Sequence, residues 1–205
     1  MYMAKDEGKE DDWFSQLDAE LEKKTTQIAD NFIEQANLRT TVNRTMLEDF
    51  FRIWLRFNKI NVHLTVSPEP SAFIHFVVYP DQWNVKEDAD FAAMNNMSLT
   101  DRTQDQGRVG DSVKAWYYSV DSTSHFRMVF EYCEGEHYYK YAGWKRIFTQ
   151  HVLMDVPVSK WDEKKFHEVL ADMVKTWYES HLRRDRDIII KHVRDKYEKG
   201  ETFTQ

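Results

Sequence analysis

The stretch CEGEHYYKYAGWKR, residues 133–146, collects residue types from which sites are built. It holds the chain's single cysteine, a histidine, three tyrosines, a tryptophan and three cations. Such a run can support a thiolate nucleophile, an aromatic stacking surface or a ligand pocket with polar handles. The thiolate is disfavoured. A reactive cysteine needs an electropositive setting, and Cys133 sits among Glu131, Glu134 and Glu136, with His137 its one nearby base.

Metal and phosphate chemistry find no complete motif. His167-Glu168 opens like HExxH, but Ala171 stands where the second imidazole must be. One cysteine builds no thiolate zinc site within a chain. His63, His75, His125 and His137 lie on or beside expected strands, and their convergence is the one route to a metal or acid–base cluster. Gly107-Arg108-Val109-Gly110 lacks the Lys-Ser/Thr pair of a phosphate loop. The sequence therefore assigns no catalytic residue, no metal ligand and no cofactor.

A sheet has to position the aromatic run. In HFRMVFEYC the period is two, placing Phe126, Met128, Phe130 and Tyr132 on one face. Glu134-Gly135 reads as a two-residue hairpin loop, which would pair Tyr132 with His137, Phe130 with Tyr139 and Met128 with Tyr141. VKAWYYSV supplies a neighbouring strand with Trp116 and Tyr118 on one face. The expected ligand-binding set is then Trp116, Tyr118, Tyr132, His137, Tyr139, Tyr141 and His75. In this register the rings face inward, so the run reads as pocket or core and not as a nucleic-acid platform. Gly143 marks a bulge or bend before the strand continues to Val152.

Other strands precede these. INVHLTV alternates as a half-exposed strand, and AFIHFVVY, apolar on both faces except His75, reads as a central one. Residues 81–110 read as a long loop.

Helices flank the sheet. Trp13, Leu17, Leu21, Ile28, Phe32 and Ile33 recur at helical spacing. A second helix, from about Val42 to Asn58, is apolar around most of its girth, with Thr45 and Glu48 spaced as a capping box. A long C-terminal helix is expected over 159–198, N-capped by Ser159; at ~58 Å it exceeds the width of a small domain, so it either breaks near the charge cluster 183–187 or projects outward. Ile188, Ile189 and Val193 beyond that cluster read as an interface for a partner helix or a second copy.

The fold expected is α+β: an antiparallel meander of about five strands, two N-terminal helices and one long C-terminal helix. Residues 1–11 read as a flexible segment and 12–205 as a single domain, helical over 12–58 and mainly β over 59–152. The 205 residues suffice for a core without metal or disulfide.

Net charge is −7, which opposes nucleic acid and anionic lipid. One cysteine fits a reducing cytoplasm. The N-terminus lacks an apolar h-region, and no run is long enough to span a membrane. Asn43 and Asn96 match the glycosylation acceptor pattern by coincidence. The functional expectation is a cytoplasmic, non-catalytic interaction or regulatory protein that forms a homodimer through its helices. The alternative is a binder of a small apolar ligand, or a cofactor-free enzyme, with a Tyr/His-lined pocket between sheet and helices.

Overall fold

The computed structural model describes residues 10–69, 74–75, 84–85, 91–103 and 110–205. The chain divides at Asn37/Leu38 into an N-terminal helical unit and an α+β unit.

One helix, α1 (Glu10–Asn58), replaces the two expected. No glycine or proline interrupts those 49 residues, and Thr45 and Glu48 lie inside the helix instead of capping a new one. It ends where Asn61 turns left-handed (φ 58°) and Val62 N–H reaches back to Phe57 O at 3.1 Å. That 6→1 bond closes the last turn.

Strands β1 (Leu64–Glu69), β4 (Asn96–Asp101), β5 (Ser112–Val120), β6 (Thr123–Tyr139), β7 (Gly143–Pro157) and β8 (Glu198–Thr204) form an antiparallel sheet in the order β1-β4-β5-β6-β7-β8. A separate two-stranded sheet pairs β2 (Ile74–His75) with β3 (Asn84–Val85). The α+β class stands, with six strands in the main sheet. Two strand expectations are corrected. Within the supposed loop 81–110, β4 pairs β1 on one side and β5 on the other. The stretch read as a central strand contributes Ile74–His75 to the small sheet; its other residues lie outside those described.

The cap of the C-terminal helix is also corrected, and of the two forms expected for its length the break near 183–187 is the one observed. Asp162, not Ser159, caps α2 (Glu163–Leu182), its carboxylate accepting Lys165 N–H at 2.6 Å. Val158–Lys160 form a 3₁₀ turn before it. The helix stops at the charge cluster, where Arg184 turns left-handed (φ 51°) and Asp185 N–H bonds Ser180 O. After α3 (Asp187–Lys196) the chain re-enters the sheet as β8.

The core lies between one sheet face and the helices. Phe50, Phe57, Phe126, Phe130, Tyr132, Phe166 and Trp177 are fully buried. Trp177 packs on Phe57 at 5.1 Å and on Phe130 at 5.6 Å between ring centroids. These rings tie α1, α2 and β6 together, each burial contributing about 1.5–3 kcal/mol. No helix among the described residues is long and apolar enough to cross a membrane.

Candidate functional site

The structure does not bring the expected ligand-binding residues together. Strand β6 runs straight through Glu134-Gly135, where the register against β7 slips as a bulge. The reversal comes later, at a turn closed by Ala142 N–H to Tyr139 O at 3.1 Å, with Gly143 at φ 73°. His137, Tyr139 and Tyr141 therefore extend past the core to the hairpin end. Tyr141 is 93% exposed, and Tyr138 and Trp144 face each other across the ribbon at 5.6 Å.

The other members scatter as well. Tyr132 lies in the core. Trp116 and Tyr118 pair with Arg127 and His125, opposite the face of Val113, Ala115 and Tyr117. There Tyr118 donates to Asp155 at 2.6 Å, beside Arg127. His75 lies in β2, its side chain outside the described residues. His63 precedes β1, His125 opens β6 and His137 nears the hairpin end. Among the described residues, no group of three or more His, Cys, Asp or Glu side chains is placed to hold a metal ion. Cys133 is buried, its thiol against Gly135 O.

The expected interface residues turn inward too. Ile189 and Val193 are fully buried in the chain's own core, and Ile190 packs beside them. Ile188 is half-buried. Because α3 folds back at Arg184, the isoleucine triplet is spent inside the protein.

Two small polar centres bind α3 to the rest. Asp172 on α2 accepts from His192 at 2.7 Å, Tyr197 at 3.0 Å and Lys196 at 2.9 Å. Near β8, a recess of about 240 Å³ is lined by Tyr132, Glu134, Thr149, His151, Arg194 and Tyr197, among others. Burial raises the Tyr132 phenol, and Arg194, donating to its oxygen at 3.0 Å, opposes that.

An apolar concavity lies elsewhere, between α1 and α2. Its volume is about 690 Å³. Ile53 and Phe57 from α1, with Leu170, Ala171, Val174 and Tyr178 from α2, line it. Four cations also line it: Arg52, Arg56, Lys59 and Lys175. Their origin is helical geometry. Residues 52, 56 and 59 recur at i, i+4 and i+7, so they form one row beside the apolar seam. Arg52 is taken by Asp49 at 3.0 Å, and Asp49 also meets His167 at 2.7 Å. Arg56, Lys59 and Lys175 have no carboxylate within ion-pair distance among the described residues. An apolar floor with three unpaired cations in its lining is complementary to an amphipathic, acidic occupant. The cation spacing was present in the sequence, but the groove exists only once α2 packs against α1.

The N-terminal unit is the reverse case. Every side chain from Trp13 to Glu34 is exposed. The apolar stripe of Phe14, Leu17, Leu21, Ile28 and Phe32 is thus uncovered. Residues 10–37 carry eight carboxylates against Lys23 and Lys24, a net −6 of the chain's −7.

Comparison with protein-family models, with curated proteins and with solved structures finds no match for this chain.

Proposed function

We propose that the protein is a non-catalytic interaction protein whose α1/α2 groove receives an acidic amphipathic helix. The observation that carries the reading is the groove itself, an apolar concavity of about 690 Å³ lined also by Arg56, Lys59 and Lys175. Helix-in-groove recognition needs such a floor for spaced apolar anchors. The cations add orientation and speed of encounter more than affinity.

The test is fluorescence anisotropy of the full chain with a labelled helical peptide of leucine and glutamate, its leucines spaced every third and fourth residue. Saturable, salt-weakened binding is expected. Ala171→Trp fills the groove from an exposed position, and Arg56→Glu/Lys59→Glu reverses its charge. Each weakens binding by about tenfold or more, roughly 1.4 kcal/mol. Absence of binding by the unaltered chain, or binding indifferent to all three substitutions, removes the reading.

The hairpin end supports a second reading. Tyr138, Tyr139, Tyr141 and Trp144 are exposed there, with Lys140, Lys145 and Arg146 against Glu136. Exposed rings interleaved with cations match a stacking platform for single-stranded nucleic acid, about 1–3 kcal/mol per stacked base. Retention of an oligothymidine at low salt, lost in Tyr141→Ala/Trp144→Ala, is its signature; no retention at low salt eliminates it.

A further inference from the structure

The groove and the bare helix stripe answer each other in shape, polarity and charge. The groove is lined along α1 from Asp49 to Lys59, about 15 Å at 1.5 Å per residue. Trp13 to Leu21 spans about 12 Å by the same measure. Within that span Phe14, Leu17 and Leu21 share a face, and Trp13 packs edge-on against Phe14 at 4.5 Å. Helical spacing sets Asp18 and Glu22 one turn apart along one flank of that face, with Glu20 on the other. In the groove, Arg56 and Lys59 come from α1 and Lys175 from α2. Carboxylates on both flanks of an apolar seam thus find cations on both helices of an apolar floor.

Charge also selects the occupant. Parallel pairing of two N-terminal stripes would align like carboxylates and leave the groove's cations unmatched. Residues 38–205 carry a net charge of −1, so nearly all of the chain's excess negative charge lies on the helical unit. A helix with no side chain buried over 22 residues is marginal in water by itself, because most helical stability comes from packing of the apolar face.

We propose that Trp13–Glu22 of one copy docks into the α1/α2 groove of a second copy. This rests on the groove being a helix-binding site, and it names the helix. The contact is heterologous: a surface of the helical unit meets a different surface of the α+β unit. Reciprocal docking closes a dimer; one-way docking extends a chain of subunits.

Sedimentation velocity over a concentration series tests it. The unaltered chain shifts from the monomer mass of 24.7 kDa to higher mass as concentration rises, and salt weakens the shift. Leu17→Asp/Leu21→Asp, on exposed positions, gives a monomer. Ala171→Trp and Arg56→Glu/Lys59→Glu each give a monomer, and the exposed charge reversal serves if the tryptophan disturbs folding. Mixing the helix variant with a groove variant restores a 1:1 complex, since one intact helix then meets one intact groove. A chain monomeric at every concentration overturns the proposal. So does loss of association in the helix variant alone with the groove variants still associated, which means that stripes pair with stripes. Peptide binding by the Leu17→Asp/Leu21→Asp chain separates the two readings: binding there, with the unaltered chain monomeric at every concentration, leaves the groove a docking site for another protein's helix and excludes this one.

Discussion

Arg186 grips the fully buried carboxylate of Asp111 from both sides, Nη2 to Oδ1 at 2.6 Å and Nε to Oδ2 at 3.1 Å, and Nη2 also donates to Cys133 O at 2.7 Å. The guanidinium fork suits that bidentate geometry. One residue thus fastens the break between α2 and α3 to β6 and to the start of β5. Removing one partner strands a charge in the interior. Arg186→Ala is expected to lower the unfolding free energy by about 3–5 kcal/mol, read by urea denaturation. Arg186→Lys recovers only part, since an ammonium cannot span both oxygens. An Arg186→Ala chain as stable as the original contradicts this role.

Asn43 makes a second such tie. Its amide donates to Phe91 O at 2.6 Å and Met94 O at 3.0 Å, while its oxygen accepts the Tyr117 hydroxyl at 2.9 Å. Burial is the main reason the Tyr117 phenol is raised well above its ordinary range, with Arg39 opposing. Full burial and full use of the amide also exclude glycosylation of Asn43 in the folded chain. Asn43→Leu takes one donor from each of two carbonyls, which keep Met94 N–H and Arg39 Nη2, and leaves the buried Tyr117 hydroxyl without its acceptor, a loss of about 1–3 kcal/mol. A large drop in melting temperature is expected, and Tyr117→Phe should be markedly milder.

Asp172 gives the fold an acid limit. Desolvation is the largest single influence and pushes its carboxyl up, but hydrogen bonds from Lys196, His192 and Tyr197 together hold it below the ordinary 3.8. A carboxyl depressed in the folded state stabilises above its unfolded value, and that contribution disappears as pH falls through the folded value. The melting temperature should therefore decline below about pH 4. Asp172→Asn should cost stability at neutral pH and flatten the decline below pH 4. Asp155, also held low against desolvation, by Tyr118 and Arg127, keeps some slope in the variant. Asp172 is partly exposed, so solvent screens the effect.

What the sequence disclosed was the periodic part of the fold. Phe126, Met128, Phe130 and Tyr132 alternate and do form the buried face of β6. Strand β4 was concealed because Met97 and Leu99 alternate inside a polar string and the next inward residue is Asp101, buried against His181 at 3.1 Å. Strand β8, EKGETFT, has a single apolar anchor, Phe203 stacked on Phe148 at 5.9 Å. Its place depends on backbone pairing with β7, which leaves no hydrophobic period to read. The groove is a tertiary product and has no local signal beyond the spacing of Arg52, Arg56 and Lys59. The hairpin was misplaced because a glycine after a glutamate serves a bulge as well as a turn.

Those two glycines provide the sharpest check on the hairpin. Gly143 holds φ 73°, a left-handed backbone that a side chain strains, although a Cβ there would meet nothing within 4 Å. Gly135 is not left-handed, and a Cβ there also meets open space. A turn at Glu134-Gly135 would demand glycine at 135 and tolerate alanine at 143; a bulge at 135 followed by a turn at 140–143 reverses the demand. Gly143→Ala should therefore destabilise by about 1 kcal/mol, while Gly135→Ala should be neutral or stabilise by about 0.4–1 kcal/mol by restricting the unfolded chain. Thermal melts of the two variants distinguish the registers directly. A costly Gly135→Ala beside a neutral Gly143→Ala would restore the shorter hairpin, draw Tyr139 and Tyr141 back over the core, and dissolve the exposed aromatic platform.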